Sequence, residues 1–576
     1  MRYVVLLLAV LLCLVFGDGR APAVPAPVLP SAVARPERVL ILAFDNTSLD
    51  DLRAMPTLWQ FLQDGAFSTE HHTVLPTRSA PGFAAIASGR YAARTGALDN
   101  GFFAGGRRES GFTFWETPLG SGLPFGLGPP PWVAFTAAGW DVGAVGMSPL
   151  VLQTDADVDR LGARANPEEP RAAAYRGVAI YRADGTRTFG APNVPWLWQA
   201  VGPFPGWPLR EVEYPLTATA LMQEHGVRIT FTYLENLHGN RGPGAYDDVL
   251  ARYDAAFAAF FARLAAAGIT PENSLFVVTV DEGDQLVPEG GRAVALGTYL
   301  ESHPDHPVPP EAVQMAGGAA ANLYLAPGVD RAAVRAALRR APGVQAIAWG
   351  AARRAAQMAV AADPARVPDV TVFGEPDVQF RERGARLIGR TAAPLWNHGT
   401  LGPAMERVWL ALRGPGIRPG PLTTWTDHPD ILATVHALLG LPTAELDGQV
   451  IVSALADELV PAAARDPAAL RLAAATKQAQ APLGTFARAA LMVATTAAEM
   501  DADDAAHLDA ALAHLVDERD ALVAAARARF AAALAGVPLP SEEARDLTER
   551  LEGLAARAQA LLDVTRRVGS PAGGGP

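Results

Sequence analysis

The sequence predicts an α/β protein built on a mainly parallel central sheet with helices on both faces. Two observations carry this. Short, continuous apolar runs at residues 38–44, 227–234 and 275–280 are followed at once by Asp45, Glu235 and Asp281. Runs of this length without polar alternation suit strands buried on both faces. Between them lie apolar residues at helical spacing, Leu58, Phe61 and Leu62 within 55–65, and Leu250, Tyr253, Phe257, Phe260, Phe261 and Leu264 within 247–268. Strands alternating with helices pair in parallel through right-handed crossovers. Ligands of such sheets sit beyond the carboxyl ends of the strands, so the three acids are placed to converge. A single acid there reads most simply as a helix N-cap; three, each after a strongly apolar strand, do not.

The remaining elements follow in order. Residues 1–23 read as a secretory signal peptide, with Arg2 ahead of an apolar stretch and small residues after it; an uncleaved membrane anchor is the other reading of that segment. A Pro/Ala-rich linker fills 24–37, and the catalytic core is expected over 38–285 and 396–453. Residues 101–220, rich in Gly, Pro and Trp, read as irregular covering segments. An inserted cap subdomain is expected at 286–395, where strand, helix and strand patterns occur at 321–325, 330–341 and 344–349. The core resumes at 408–412 and 431–441. Residues 461–569 form a C-terminal helical region, with one stripe on Leu508, Leu512, Leu515, Leu522 and Phe530 and another from Leu547 to Leu562. A disordered tail is expected at 570–576. No later stretch is apolar over the ~20 residues of a membrane span.

Composition narrows the chemistry. The only cysteine is Cys13, inside the leader, so the mature chain has no thiol nucleophile or thiolate, and any metal falls to His, Asp and Glu. The formal charge of -12 excludes broad binding to duplex nucleic acid, and an anionic substrate needs a local positive site. A secreted or periplasmic location follows from the leader.

Four motifs occur in order: Asp45 after the first strand; Met55-Pro56-Thr57-Leu58; Pro76-Thr77-Arg78-Ser79 before an apolar helix ending in Ser88-Gly89, with Asn100 beyond; and Asp281-Glu282-Gly283 after the third strand. Asn397-His398-Gly399 follows later. This pattern resembles the alkaline phosphatase superfamily, in particular bacterial type I phosphodiesterases and nucleotide pyrophosphatases. The resemblance implies an alkaline phosphatase-like fold, Ser79 as a metal-activated nucleophile, Asp45 as a ligand beside it, and Asn100 on a phosphate oxygen, with Arg78 as a further substrate contact. It implies two divalent ions, one on Asp45, Ser79, Asp281 and Glu282, the other on Glu235, His238 and His398. Zinc is expected, with manganese or magnesium as alternatives. Two departures stand out. Glu282 replaces the family's histidine, and two residues rather than three separate Glu235 from His238, leaving either a one-residue slip or a different acid.

The chemistry holds together on physical grounds. A serine hydroxyl with no neighbouring histidine needs a divalent cation to lower its pKa, and two cations about 4 Å apart clamp an in-line displacement at phosphorus. A carboxylate in place of imidazole moves preference from zinc towards manganese or magnesium. An arylsulfatase is excluded, because Ser79-Ala80-Pro81-Gly82-Phe83 lacks the arginine that its nucleophile maturation requires. The expected function is therefore a secreted two-metal hydrolase of a small phosphodiester, pyrophosphate or phosphomonoester. The alternative is a non-catalytic or single-metal binding module on the same fold. His428, after Asp427, is an outer-shell candidate; His71, His72 and His436 read as packing or surface residues.

Overall fold

The computed structural model describes residues 35–104, 107–110, 132–147, 176–189, 196, 212–234, 237, 246–304, 307–361, 363–391 and 395–568. The leader, the linker up to residue 34 and the tail lie outside them. No described helix is long and apolar enough to cross a membrane.

Strands β1 (Arg38–Phe44), β2 (Ala66–His72), β3 (Val142–Met147), β4 (Arg176–Tyr181), β5 (Arg187–Phe189), β6 (Ile229–Leu234), β7 (Ser274–Val280), β8 (Arg407–Arg413), β9 (Gly420–Leu422) and β10 (Thr426–Asp427) form one ten-stranded sheet. Its order is β9-β2-β8-β7-β1-β6-β3-β4-β5, with β10 also on β2. The centre, β7-β1-β6-β3, is parallel. The sheet as a whole is mixed, because β8 runs antiparallel to both β7 and β2, and β4 and β5 turn back antiparallel beyond β3.

Both faces of β1 are buried, as its unbroken apolar run requires. Val39, Ile41 and Ala43 pack with Phe231, Val277, Phe83, Ile86, Ile431 and Val435. Leu40, Leu42 and Phe44 pack on the other side with Leu58, Leu62, Phe257 and Phe260. The first layer is covered by helices α1 (Ser79–Ser88) and α2 (His428–Leu439), the second by helices Pro56–Gln63 and Tyr246–Ala266. Strands β3 to β5 occupy part of the stretch that reads as irregular. Gly143 and Gly146 dilute the apolar signature of β3, yet it pairs in parallel with β6.

Between β7 and β8 stands a four-stranded antiparallel sheet in the order Val313–Ala316, Ala320–Leu325, Val370–Gly374, Val344–Ala348. The two strands joined by helix Arg331–Arg339 flank Val370–Gly374 instead of each other. Helices α3 (Pro467–Gln480), α4 (Thr485–Ala497), α5 (Ala502–Leu534) and α6 (Ser541–Val568) follow the central sheet. Leu491, Leu512, Leu515 and Leu551 share one apolar core with Leu323, Ile347 and Phe373, so these helices are packed onto the inserted sheet.

A charged contact also locks this helical region to the central sheet. Buried Lys477 on α3 donates to Asp427, to Asp430 (2.6 Å) and to the Tyr91 hydroxyl (3.1 Å). Tyr91 in turn donates to the other Asp427 oxygen at 2.8 Å. Removing one partner of a buried pair leaves the other charge unsolvated, at a cost of about 3–5 kcal/mol. Lys477→Met is therefore expected to lower unfolding stability by about that amount. Urea denaturation followed by far-ultraviolet circular dichroism measures it, and an unchanged midpoint would show that the pair contributes nothing.

Candidate active site

The parallel register builds the site. Phe44 lies opposite both Leu234 and Val280, so the residues following β1 and β7 emerge side by side. Asp45, Asp281 and Glu282 are buried there and offer oxygens within 4.8 Å of one another. Asn46 takes a left-handed conformation, φ 56°, which asparagine tolerates better than most residues. From it, Nδ2 donates to Asp45 Oδ1 at 2.7 Å and the backbone N–H reaches Asp281 Oδ1 at 3.4 Å. The Asp281 side chain also accepts from the Glu282 N–H and from the Tyr233 hydroxyl, both at 2.8 Å.

Ser79 opens α1, whose N-cap is Arg78 and carries no side-chain cap. Asn100 supplies that contact from outside the helix, its Oδ1 accepting from the Ala80 N–H at 2.8 Å, while its Nδ2 lies 3.5 Å from Ser79 Oγ. Ser79 Oγ is thereby free of capping and donates to Glu282 Oε1 at 2.9 Å. Gly82 makes the approach of α1 possible, since a Cβ there would run into the Asp281 carbonyl oxygen.

His398 completes the group. Its Nδ1 lies 2.9 Å from Asp284 Oδ1 and its Nε2 3.5 Å from Glu282 Oε1. A carboxylate only accepts, so Nδ1 carries a proton towards Asp284, while Nε2 faces the Glu282 carboxyl. The buried Glu282 Oε2 has no hydrogen-bond partner in the structure. Burial pushes the Asp281 carboxyl up to about 6. Burial first, then the charges of Asp281, Asp45 and Asp284, hold Glu282 well above the usual carboxylate range. A cluster of buried acids, an orphaned carboxylate oxygen and an imidazole nitrogen beside them together fit a divalent cation.

A second layer fixes the backbone. The Asp281 carbonyl accepts from Thr73 Oγ1 and from His428 Nε2, both at 2.6 Å. The proton of His428 must then be on Nε2, leaving Nδ1 to accept from His71 Nε2 at 3.1 Å. His71 Nδ1 accepts in turn from Thr426 Oγ1 at 2.8 Å. Burial lowers both rings, His428 to about 4, so the relay is neutral.

Of the residues singled out from the sequence, Asp45, Ser79, Asn100, Asp281, Glu282 and His398 come together. Glu235 and His238 lie outside the described residues. Arg78 is engaged elsewhere: its Nε pairs with Asp99 Oδ1 at 3.1 Å and its Nη2 donates to the Ala320 carbonyl of the inserted sheet at 3.2 Å. Gly318 leaves room for that guanidinium, which a Cβ would strike. His71 is a packed residue, and its place in the relay has no local sequence signal. Asp284, the next acid on the loop, is the sequence's substitute should Glu282 only cap the turn, and the structure sets it against His398. Tyr233 was missed as a site residue, since it reads as one more apolar strand residue.

Comparison with known proteins agrees with this architecture. The model of the family described as type I phosphodiesterase / nucleotide pyrophosphatase matches residues 39–401. No curated protein matches the chain by sequence. Among solved structures, murine ectonucleotide pyrophosphatase/phosphodiesterase 5 is similar at a TM-score of 0.50 and 16% identity, over 72% of this chain and 97% of that one. An inactive form of the same murine protein in complex with AMP gives 0.51 and 16%, over 72% and 97%. At that identity the likeness speaks for the fold. The family match takes in Asp45, Ser79, Asn100, Asp281, Glu282 and His398, and with it the chain belongs to the type I phosphodiesterase/nucleotide pyrophosphatase family of the alkaline phosphatase superfamily and is a phosphoric ester hydrolase.

Proposed function

We propose that the chain is a secreted, two-metal phosphodiesterase or pyrophosphatase that attacks phosphorus through Ser79. The observation that carries this reading is the buried Asp45, Asp281 and Glu282 cluster with the Ser79 hydroxyl bonded into it. Asp45, Ser79, Asp281 and Glu282 are assigned to one cation, and His398, with Glu235 and His238, to a second. Bound divalent cations supply charge neutralisation of the phosphoryl group and a lowered serine pKa. Zinc is the first assignment, with manganese or magnesium favoured to the extent that Glu282 brings oxygen where imidazole is usual.

The chain's own residues have distinct tasks in this reading. Glu282 holds the Ser79 hydroxyl in one direction by accepting its proton in a hydrogen bond. Asn100 fixes the first turn of α1 through Oδ1 and keeps Nδ2 beside Ser79, available to a phosphoryl oxygen. The N-terminus of α1 adds its partial positive charge to that position. Asp284 orients His398. The AMP held by the inactive murine neighbour supports a nucleotide-type phosphoryl substrate. The apolar leader supports secretion. A single-metal site is the competing reading, favoured by Glu282 in place of a histidine, and elemental analysis of purified protein separates the two.

Ser79→Ala is expected to lower hydrolysis of bis(p-nitrophenyl) phosphate by about a thousandfold or more while leaving thermal unfolding nearly unchanged, because Asn100 supplies the helix-end contact. Retained turnover would move the nucleophile elsewhere.

Metal uptake should depend on pH in a set direction. With its carboxyl raised to about 6, the folded metal-free chain holds a proton on Asp281 that the unfolded chain, with an ordinary aspartate near 3.8, has released. Stability of the metal-free protein therefore falls as pH rises through that window, and cation binding there releases protons. Calorimetric titration with Mn²⁺ in buffers of different ionisation enthalpy should show proton release and an affinity that rises from pH 5 to pH 7. A flat profile would mean that Asp281 does not meet the ion.

Glu282→Ala should remove one ion and most activity, whereas Glu282→His should keep the ion and shift preference towards zinc. Metal content and relative activity with Zn²⁺ and Mn²⁺ decide this, and an unchanged stoichiometry in Glu282→Ala would take Glu282 out of the site.

A further inference from the structure

A cavity of about 590 Å³ opens between α3 and the segment running from Arg418 to Asp457. None of Asp45, Ser79, Asp281, Glu282 or His398 lines it, so it is separate from the carboxylate site. Its size falls within the range of small-molecule sites, roughly 300–1,000 Å³. The inner wall is apolar, with Val450, Ile451 and Phe530 buried and Trp425 half-buried beside them. The rim is basic. Arg418 pairs with Asp457 at 3.1 Å, while exposed Arg465 and Arg471 form no ion pair among the described residues. The other charged lining groups are Asp430 and Lys477, paired at 2.6 Å, and Lys477 also meets Asp427, which does not line the cavity.

The balance at this opening is therefore positive, on a chain whose net charge is -12. A pocket that offers an apolar interior and, at its mouth, two guanidinium groups without an ion pair among the described residues is complementary to one kind of molecule. We propose that this cavity binds a single-chain amphipathic anion, its alkyl part against Trp425, Val450, Ile451 and Phe530 and its carboxylate or phosphate head on Arg465 and Arg471. A neutral alkyl compound forgoes the head-group contacts, and an alkyl cation meets like charge.

The test uses the full chain and four probes of one chain length: decanoate, decyl phosphate, decanol and decyltrimethylammonium. Binding is read by calorimetry and by quenching of tryptophan fluorescence. Saturable one-to-one binding of decanoate or decyl phosphate, with decanol at least about tenfold weaker and the cation not bound, is expected. Whichever anion binds more tightly identifies the head group. The double variant Arg465→Glu, Arg471→Glu should weaken the anions by about tenfold or more and leave decanol unchanged; both residues are exposed, so the fold is not at risk. Ala473→Phe, which adds bulk to the α3 wall, should weaken all the alkyl probes that bind. Equal binding of decanol and the anions, anion affinity indifferent to the charge reversal, or absence of saturable binding by either anion would each overturn the proposal.

Discussion

The fold confines Asp45, Asp281 and Glu282 to one small, water-poor space, and much of the surrounding structure answers to that constraint. Strand register is the cause. Because β1 and β7 pair in parallel with Phe44 opposite Val280, their next residues have nowhere to go except beside each other. Like charges buried together raise their own pKa values and call for a cation or protons. Neighbouring groups are arranged to tolerate this. Asn46, Tyr233 and the Glu282 N–H all donate to the aspartates, and among the described residues no arginine or lysine is drawn in to neutralise Asp281. A donor without net charge keeps a carboxylate in place while leaving its charge for a metal. An adjacent guanidinium would do the opposite, and Arg78, the nearest in sequence to Ser79, is instead held by Asp99 and a carbonyl of the inserted sheet.

The same constraint explains why the backbone around Asp281 is so heavily tied. A loop carrying two buried acids is under electrostatic stress and would spread if free. Its carbonyl is held by Thr73 and by the His428, His71, Thr426 relay, in which each ring is neutral and each proton has one place to sit. Since α2 begins at His428 and is capped by Asp427 and Asp430 reciprocally, the position of that relay is set by the start of the helix. Lys477 then satisfies both capping acids from α3. The chain of contacts runs from the helical region to the acid cluster without a gap.

Legibility in the sequence follows the range of the interactions. Continuous apolar runs ending in acids placed β1, β6 and β7 to within two residues, because burial on both faces is a local signature. Asp45, Ser79, Asn100, Asp281, Glu282 and His398 were visible because they sit at strand ends, a helix start or in short motifs. Strand β3 was not, since Gly143 and Gly146 erase the apolar run that marks a central strand. The antiparallel sense of β8 was also hidden, for direction in a sheet depends on where the chain returns from. Tyr233, His71 and Lys477 carry no local sign of their roles, as each acts on a partner at least 47 residues away.

The departure at Glu282 acquires a physical sense from these contacts. An imidazole at that position would present one lone pair; the carboxylate presents two oxygens, one occupied by the Ser79 hydroxyl and one unsatisfied. It also adds a negative charge to a site that already holds Asp45 and Asp281, which a neutral ring would not. Nearby, His398 is turned towards Asp284, so the only imidazole described in the cluster has its own carboxylate to raise its basicity. Negative charge is thus concentrated on the loop that follows β7, where Asp281, Glu282 and Asp284 occur within four residues. A site with this surplus of oxygen donors attracts a harder cation more strongly and releases more protons on binding it, and both consequences arise from replacing one ring by one carboxylate.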